Sequence, residues 1–139
     1  KGFDQNSIEK FLSWDLKSLP ELTKLKDLDI ASKRIIEAIN RNEKIGVYGD
    51  YDVDGTTSCA LFYHFFKMLD VEIDIVQPSR FVEGYGLTVD AIDKIADSGA
   101  QLVLTVDCGS LSHEPIARAN ERGSDALVLK QPGDGHLRQ

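Results

Sequence analysis

The chain has 139 residues, 42% of them hydrophobic and 28% charged, and carries a formal net charge of −7. That is length enough for one domain with its own core, while no apolar run approaches the roughly 20 residues that cross a bilayer. The acidic balance excludes a broad basic face that binds nucleic acid by neutralising phosphates, and two cysteines, Cys59 and Cys108, are too few for a disulfide framework.

The first residues lack the charged-then-apolar pattern of a signal peptide, so the expected location is cytoplasmic, with both cysteines as free thiols. Residues 3–28 mix apolar and charged side chains around Trp14 and Pro20, with Leu16, Leu19, Leu22, Leu25 and Leu28 mostly three apart. One or two short helices are expected there, and residues 1–43 read as an N-terminal helical arm. A helix capped by Asp29 should run to Asn40–Asn42, because Ala31, Ile35, Ala38 and Ile39 share a face opposite Lys33, Arg34 and Glu37.

Residues 44–130 then alternate strand and helix patterns. Ile45–Gly49 reads as the first strand, and Thr56–Leu69 as a helix so apolar around its circumference that it should be largely buried, with His64 packed or half-exposed. Val71–Val76 is the second strand, stopped by Pro78. A loop carrying Arg80, Glu83, Gly84, Tyr85 and Gly86 leads into a helix marked by Leu87, Ile92, Ile95 and Ala96 and ended by Gly99. Leu102–Val106 is the third strand and delivers Asp107-Cys-Gly-Ser. A helix over His113–Arg122 follows, with Ser112 as cap and Pro115 in its first turn, then a fourth strand over Ala126–Leu129 and a polar tail over 131–139. Four such alternations predict a doubly wound parallel α/β sheet of about four to five strands with helices on both faces.

The chemistry concentrates at residues 44–58, where an apolar run stops at Asp50, Asp52 and Asp54 and then Gly55-Thr-Thr-Ser. Three alternating carboxylates in one short loop repel unless protons or a divalent cation neutralise them, and oxygen donors suit Mg²⁺ or Mn²⁺. The plainer alternative is a solvated acidic turn with Asp54 or Thr56 capping the next helix. In a doubly wound sheet, ligands bind beyond the carboxyl ends of the strands. Asp50, Asp52 and Asp54, then Arg80 and Glu83, and then Asp107 all fall at that edge.

Three segments in order, Gly-Asp-Tyr-Asp-Val-Asp-Gly-Thr-Thr-Ser at 49–58, Pro-Ser-Arg-Phe-Val-Glu-Gly-Tyr-Gly at 78–86 and Leu-Thr-Val-Asp-Cys-Gly-Ser at 104–110, resemble the N-terminal part of the RecJ branch of the DHH phosphoesterase family, the single-strand-specific 5′ to 3′ exonucleases. The resemblance runs from the arm, at Leu16-Lys-Ser-Leu-Pro, to about Leu129. It implies a two-metal phosphodiesterase with Mn²⁺ or Mg²⁺ held by Asp50, Asp52, Asp54 and Asp107. Of these, Asp52, Asp54 and Asp107 would be catalytic, with substrate contacts from Arg80, Glu83, Gly84, Tyr85, Gly86 and Ser110. The implied partner is single-stranded DNA, with no membrane, and further C-terminal domains are implied for the whole protein.

The chain departs from the family where Asp-His-His would follow the fourth strand, for it reads Lys130-Gln-Pro-Gly-Asp-Gly-His, with Asp134 and His136 as conceivable substitutes beyond the expected strand end. A further carboxylate ligand usual in the family is also lacking, so a fragment, a degenerate copy or a non-catalytic nucleic-acid-binding or scaffold domain are the readings left open. Two other classes share parts of the pattern. Asp52-Val-Asp-Gly-Thr matches the nucleophile motif of haloacid-dehalogenase-like phosphatases, but no later acidic pair completes that site; a receiver domain has no use for Gly-Tyr-Gly.

Overall fold

Two five-residue runs without a charge, Ile45–Gly49 and Leu102–Val106, are buried at every position, as central strands of a parallel sheet covered on both faces must be. In the computed structural model, which describes residues 4–12, 26–81 and 84–129, they are β1 and β3. The remaining elements are α1 (Gln5–Leu12), α2 (Leu28–Asn40), α3 (Val53–Met68), β2 (Ile73–Val76), α4 (Val89–Asp97), α5 (His113–Glu121) and β4 (Asp125–Leu129). The order across the sheet is β2-β1-β3-β4, all parallel. The chain winds one way from β1 to β2 and the other from β3 to β4, so the topological switch point lies between β1 and β3.

Strand alternation divides the core in two. Ile45, Val47, Leu102, Leu104 and Val106 point to one face, against Ala38 of α2 and Cys59 and Phe66 of α3. Tyr48 and Val103 point to the other, against Ala91, Ile92 and Ile95 of α4 and Ala119 of α5. Helices thus cover both faces, as the alternation predicts. Each fully buried side chain of this size contributes about 1.5–3 kcal/mol. At the margins, Arg34 of α2 pairs with Asp125 of β4 at 2.7 Å and with Glu43 at 2.7 Å, and α4 is tied to α5 where Arg118 and Arg122 both meet Asp93 at 2.9 Å.

Several expectations shift. α3 starts at Val53, three residues earlier than read, because Asp52 takes the N-cap position and its side chain accepts from Gly55 N. The idea that α3 is largely buried is overturned: only Gly55, Cys59 and Phe66 are buried, while Leu61 is 72%, Phe65 47% and Met68 79% exposed. A single sheet face can cover only one stripe of a helix, and among the described residues nothing covers the opposite stripe. His64 is exposed and meets Tyr63 edge-on. Asp27, not Asp29, stands at the α2 N-cap, in a left-handed conformation and without a side-chain bond. β2 begins two residues later than expected and β4 one earlier. Trp14, the leucines from Leu16 to Leu25, Glu83, Lys130, Asp134, His136 and the tail fall outside the described residues. Both cysteines are free, and among the described residues no helix is long and apolar enough to cross a membrane.

Candidate metal and phosphate site

The register pairs Gly49 with Val106, so the next residue on each strand, Asp50 and Asp107, leaves the sheet side by side at the switch point. Asp50 is fully buried. Its Oδ1 accepts from Tyr51 N at 2.8 Å and its Oδ2 from Gly86 N at 2.8 Å. The chain then turns into α3 through Asp52, whose extended backbone lets Oδ1 accept from Gly55 N at 2.9 Å, as an N-cap does for an orphan amide. Gly55 is required for close approach, since a Cβ there would fall 2.7 Å from the Asp50 nitrogen. Asp54 lies in the first turn of α3 and is exposed, where its charge complements the helix dipole.

The loop after β2 folds onto this turn. Gln77 donates through Nε2 to the Asp50 carbonyl at 3.1 Å and to Thr56 Oγ1 at 3.2 Å. The guanidinium of Arg80 sits over the Tyr51 ring. Tyr85, 63% exposed, donates its phenol to Asp52 Oδ2 at 3.2 Å and meets Tyr51 edge-on. Gly86 has φ of 93°, a conformation that L side chains rarely adopt. That places its N–H on Asp50 while its carbonyl accepts from Tyr48 Oη at 2.8 Å. The bond to Asp52 and then the charges of Asp52, Asp50 and Asp107 push the Tyr85 phenol up to about 12.

At the end of β3, Asp107 is half-buried and has φ of 59°, left-handed backbone in a residue other than glycine, which costs of order 1 kcal/mol and clusters at functional sites. Cys108 follows, its thiol pushed up to about 12 by burial first and then by the Asp50 and Asp107 charges. A thiol so protonated is no nucleophile near neutrality. Thr105 Oγ1 donates to the Cys108 carbonyl at 3.2 Å and closes the turn; Ser110 lies exposed beyond it.

The structure therefore brings Asp50, Asp52, Asp107, Tyr85 and Gly86 together, with Arg80 alongside. Asp54 and Ser110 stand at the rim. The donors are carboxylate oxygens, which suit a hard divalent cation, but among the described residues no three acidic, histidine or cysteine side chains are gathered closely enough to hold one. Gln77, Tyr48 and Tyr51 went unread in the sequence. A polar or aromatic residue at a strand end carries no periodic signal, and only the closeness of Tyr48 and Tyr51 to the aspartates could have hinted at them.

The family model described as "DHH family, N-terminal domain" matches residues 44–130. The chain belongs to the DHH family. That DHH match spans β1 to β4, and with them the loops of Asp50, Asp52, Asp54, Arg80 and Asp107. Among relatives, the chain is 36% identical over 96% of its length to the single-stranded-DNA-specific exonuclease RecJ of Bacillus subtilis, and 35% identical over 96% to that of Haemophilus influenzae. It spans only 17% and 22% of those proteins. Its fold matches a crystal structure of exonuclease RecJ bound to manganese, with a TM-score of 0.71 and 32% identity, covering 84% of this chain and 29% of that one. RecJ of Thermus thermophilus in complex with Mn²⁺ matches with a TM-score of 0.66 and 28% identity, covering 82% of this chain and 16% of that one.

Proposed function

We propose that this chain is part of a metal-dependent phosphodiesterase that acts on single-stranded nucleic acid, DNA first, from a 5′ end. The observation that supports it best is the meeting of Asp50, Asp52 and Asp107 at the β1/β3 switch point, under a loop that presents Arg80. In this reading Asp52, Asp54 and Asp107 offer ligands to Mn²⁺ or Mg²⁺, which when bound would polarise the phosphoryl group and lower the pKa of an attacking water. Arg80 contributes a planar, permanently charged fork for a phosphate oxygen pair. The exposed ring of Tyr85 lines the approach, and Gly84 and Gly86 let substrate come close to backbone. Glu83 and Ser110 would complete the substrate contacts from the two loops.

A second reading, a DHH domain that binds without cutting, is favoured by Lys130 standing where the family places Asp-His-His. Further domains, as the length of the RecJ relatives suggests, would supply the missing ligands and offset the net charge of −7. The test is Mn²⁺-dependent release of nucleotides from a 5′-phosphorylated single strand. It would compare this chain, its Asp52→Asn/Asp107→Asn variant and a version with Asp-His-His restored from Lys130. Activity that rises by orders of magnitude on restoration and vanishes with the aspartates supports the hydrolytic reading. Strand binding without cleavage in every version supports the second.

A further inference from the structure

The carboxyl edge of the sheet carries exposed apolar side chains from three separate segments: Val53 at the start of α3, Phe81 and Tyr85 in the β2–α4 loop, and Leu111 between β3 and α5. Apolar residues scattered singly over a surface are ordinary, whereas a group of them at one mouth marks a binding surface. Two of the four are rings, and Phe81 is 95% exposed. We propose that Tyr85, set against Tyr51, is a stacking platform for an unpaired base of the strand whose phosphate Arg80 takes, and that this contact favours single strands over duplex. The inference rests on the nucleic-acid reading above and adds to it the part of the substrate that is gripped.

Tyr51, half-buried in the turn after β1, joins the two parts. The Arg80 guanidinium lies over its ring, and the Tyr85 ring meets it edge-on, with centroids 5.8 Å apart and planes at 83°. One ring thus separates the cation from the exposed platform, as a sugar separates phosphate from base in a nucleotide. Tyr85 is held from two further directions, its hydroxyl by Asp52 Oδ2 at 3.2 Å and the backbone of the next residue, Gly86, by Asp50 and the Tyr48 hydroxyl. A ring so fixed and still 63% exposed loses little freedom when a base lands on it. Charge also favours the base over the backbone here, because Asp50, Asp52, Asp54 and Asp107 at this edge, with a net charge of −7, repel phosphate. A nucleobase is uncharged, and every base has a face that stacks. In duplex those faces are already covered, so reaching the ring costs unpairing and unstacking that a single strand is largely spared.

The experiment measures binding of the whole chain to 5′-phosphorylated oligonucleotides by fluorescence anisotropy in EDTA, which keeps metal and cleavage out of the readout. An abasic nucleotide is moved through the first few positions from the 5′ end, and each strand is titrated with wild type, Tyr85→Leu and Tyr85→Phe. Tyr85 is exposed, so neither substitution threatens the fold. At one position the missing base should weaken wild type by about 5- to 150-fold, the range for a base stacked on an aromatic. In Tyr85→Leu the same lesion should cost less than about twofold, because base and ring are then no longer coupled. Tyr85→Phe, which loses the bond to Asp52 and keeps the ring, should retain most of the penalty. The penalty should also persist across a salt series in which a phosphate contact fades. An undiminished abasic penalty in Tyr85→Leu would overturn the proposal, as would wild type that ignores abasic nucleotides at every position, binds duplex as tightly as single strand, or binds no single strand. Base–Tyr85 coupling in a chain that shows no Mn²⁺-dependent cleavage defeats the hydrolytic reading alone, whereas cleavage with an unchanged penalty defeats the platform alone.

Discussion

The guanidinium of Arg80 lies 4.9 Å from the centroid of the Tyr51 ring, so a residue from the β2 loop is oriented by an aromatic from the β1 turn. Stacking leaves the N–H edge of the guanidinium open to a phosphate. Arg80→Ala should weaken binding of a single-stranded oligonucleotide and lower the salt slope of log K by about 0.7, the value for one phosphate contact on a single strand. Arg80→Lys should keep most of that slope while losing about 0.5–1 kcal/mol of stacking. Fluorescence anisotropy over a salt series is the measurement, and an unchanged slope for Arg80→Ala would remove the phosphate role.

Mn²⁺ that binds only the folded state should raise the melting temperature. At a concentration a hundredfold above Kd the gain is about 2.7 kcal/mol, on the order of 8 °C for a domain of this size. Asp52→Asn combined with Asp107→Asn should erase most of that rise without a comparable change in the metal-free Tm. A melting curve of wild type that ignores millimolar Mn²⁺ would show that the chain forms no site by itself.

Acid should loosen α4 from α5. The guanidinium of Arg118, with that of Arg122, holds the Asp93 carboxyl below its usual range. A depressed carboxylate contributes stability that is fully present above its unfolded value of about 3.9 and is lost as pH falls through its lower folded value. Asp93→Asn should therefore flatten the acid limb of a Tm-against-pH curve below about pH 4, with little difference between variant and wild type at the lowest pH.

Gly55→Ala tests the close approach of α3 to β1. The added methyl would press on the Asp50 backbone, which should cost about 1–3 kcal/mol by overpacking even though alanine favours helix. Urea titration would register the loss as a lower midpoint. A more stable Gly55→Ala variant would mean that the turn relaxes freely.

The outer stripe of α3 makes a contrasting case. Leu61→Glu and Met68→Lys should change the stability of this chain by no more than about 0.5 kcal/mol, as expected for exposed positions, whereas Phe66→Ala should cost about 3–5 kcal/mol. The stability of each variant follows from chemical denaturation, and a large loss for Leu61→Glu would show that the stripe is covered in solution.

Strand positions were legible because four apolar runs separated by crossover-length segments admit few arrangements. Element type was read well, as were the ends of β1 and β3; the starts of α3, β2 and β4 were not. The sequence offered Asp54 or Thr56 as the cap of α3 and Asp29 as that of α2, whereas Asp52 and Asp27 take those places, because the choice depends on backbone angles that composition leaves open. The burial of α3 was misjudged because hydrophobicity around the whole helix tells how much it could bury, and says nothing about what lies alongside. The aspartates announced themselves by spacing, but the difference between Asp50 and Asp52 arises from Gly86, which is far away in sequence and reaches Asp50 only once the sheet has formed.

β1 and β3 are neighbours in space, while all of α3, β2 and α4 lie between them in the chain. During synthesis the acidic turn at Asp50 leaves the ribosome well before Asp107 exists, and pairing across so long a loop is slow. Until Leu102–Val106 has been made, β1 has no inner neighbour, and its buried edge would be open to any other extended strand. The nascent polypeptide therefore passes through an interval in which it carries concentrated negative charge beside an unpaired apolar edge, and a translational pause between Asp97 and Leu102 would prolong it.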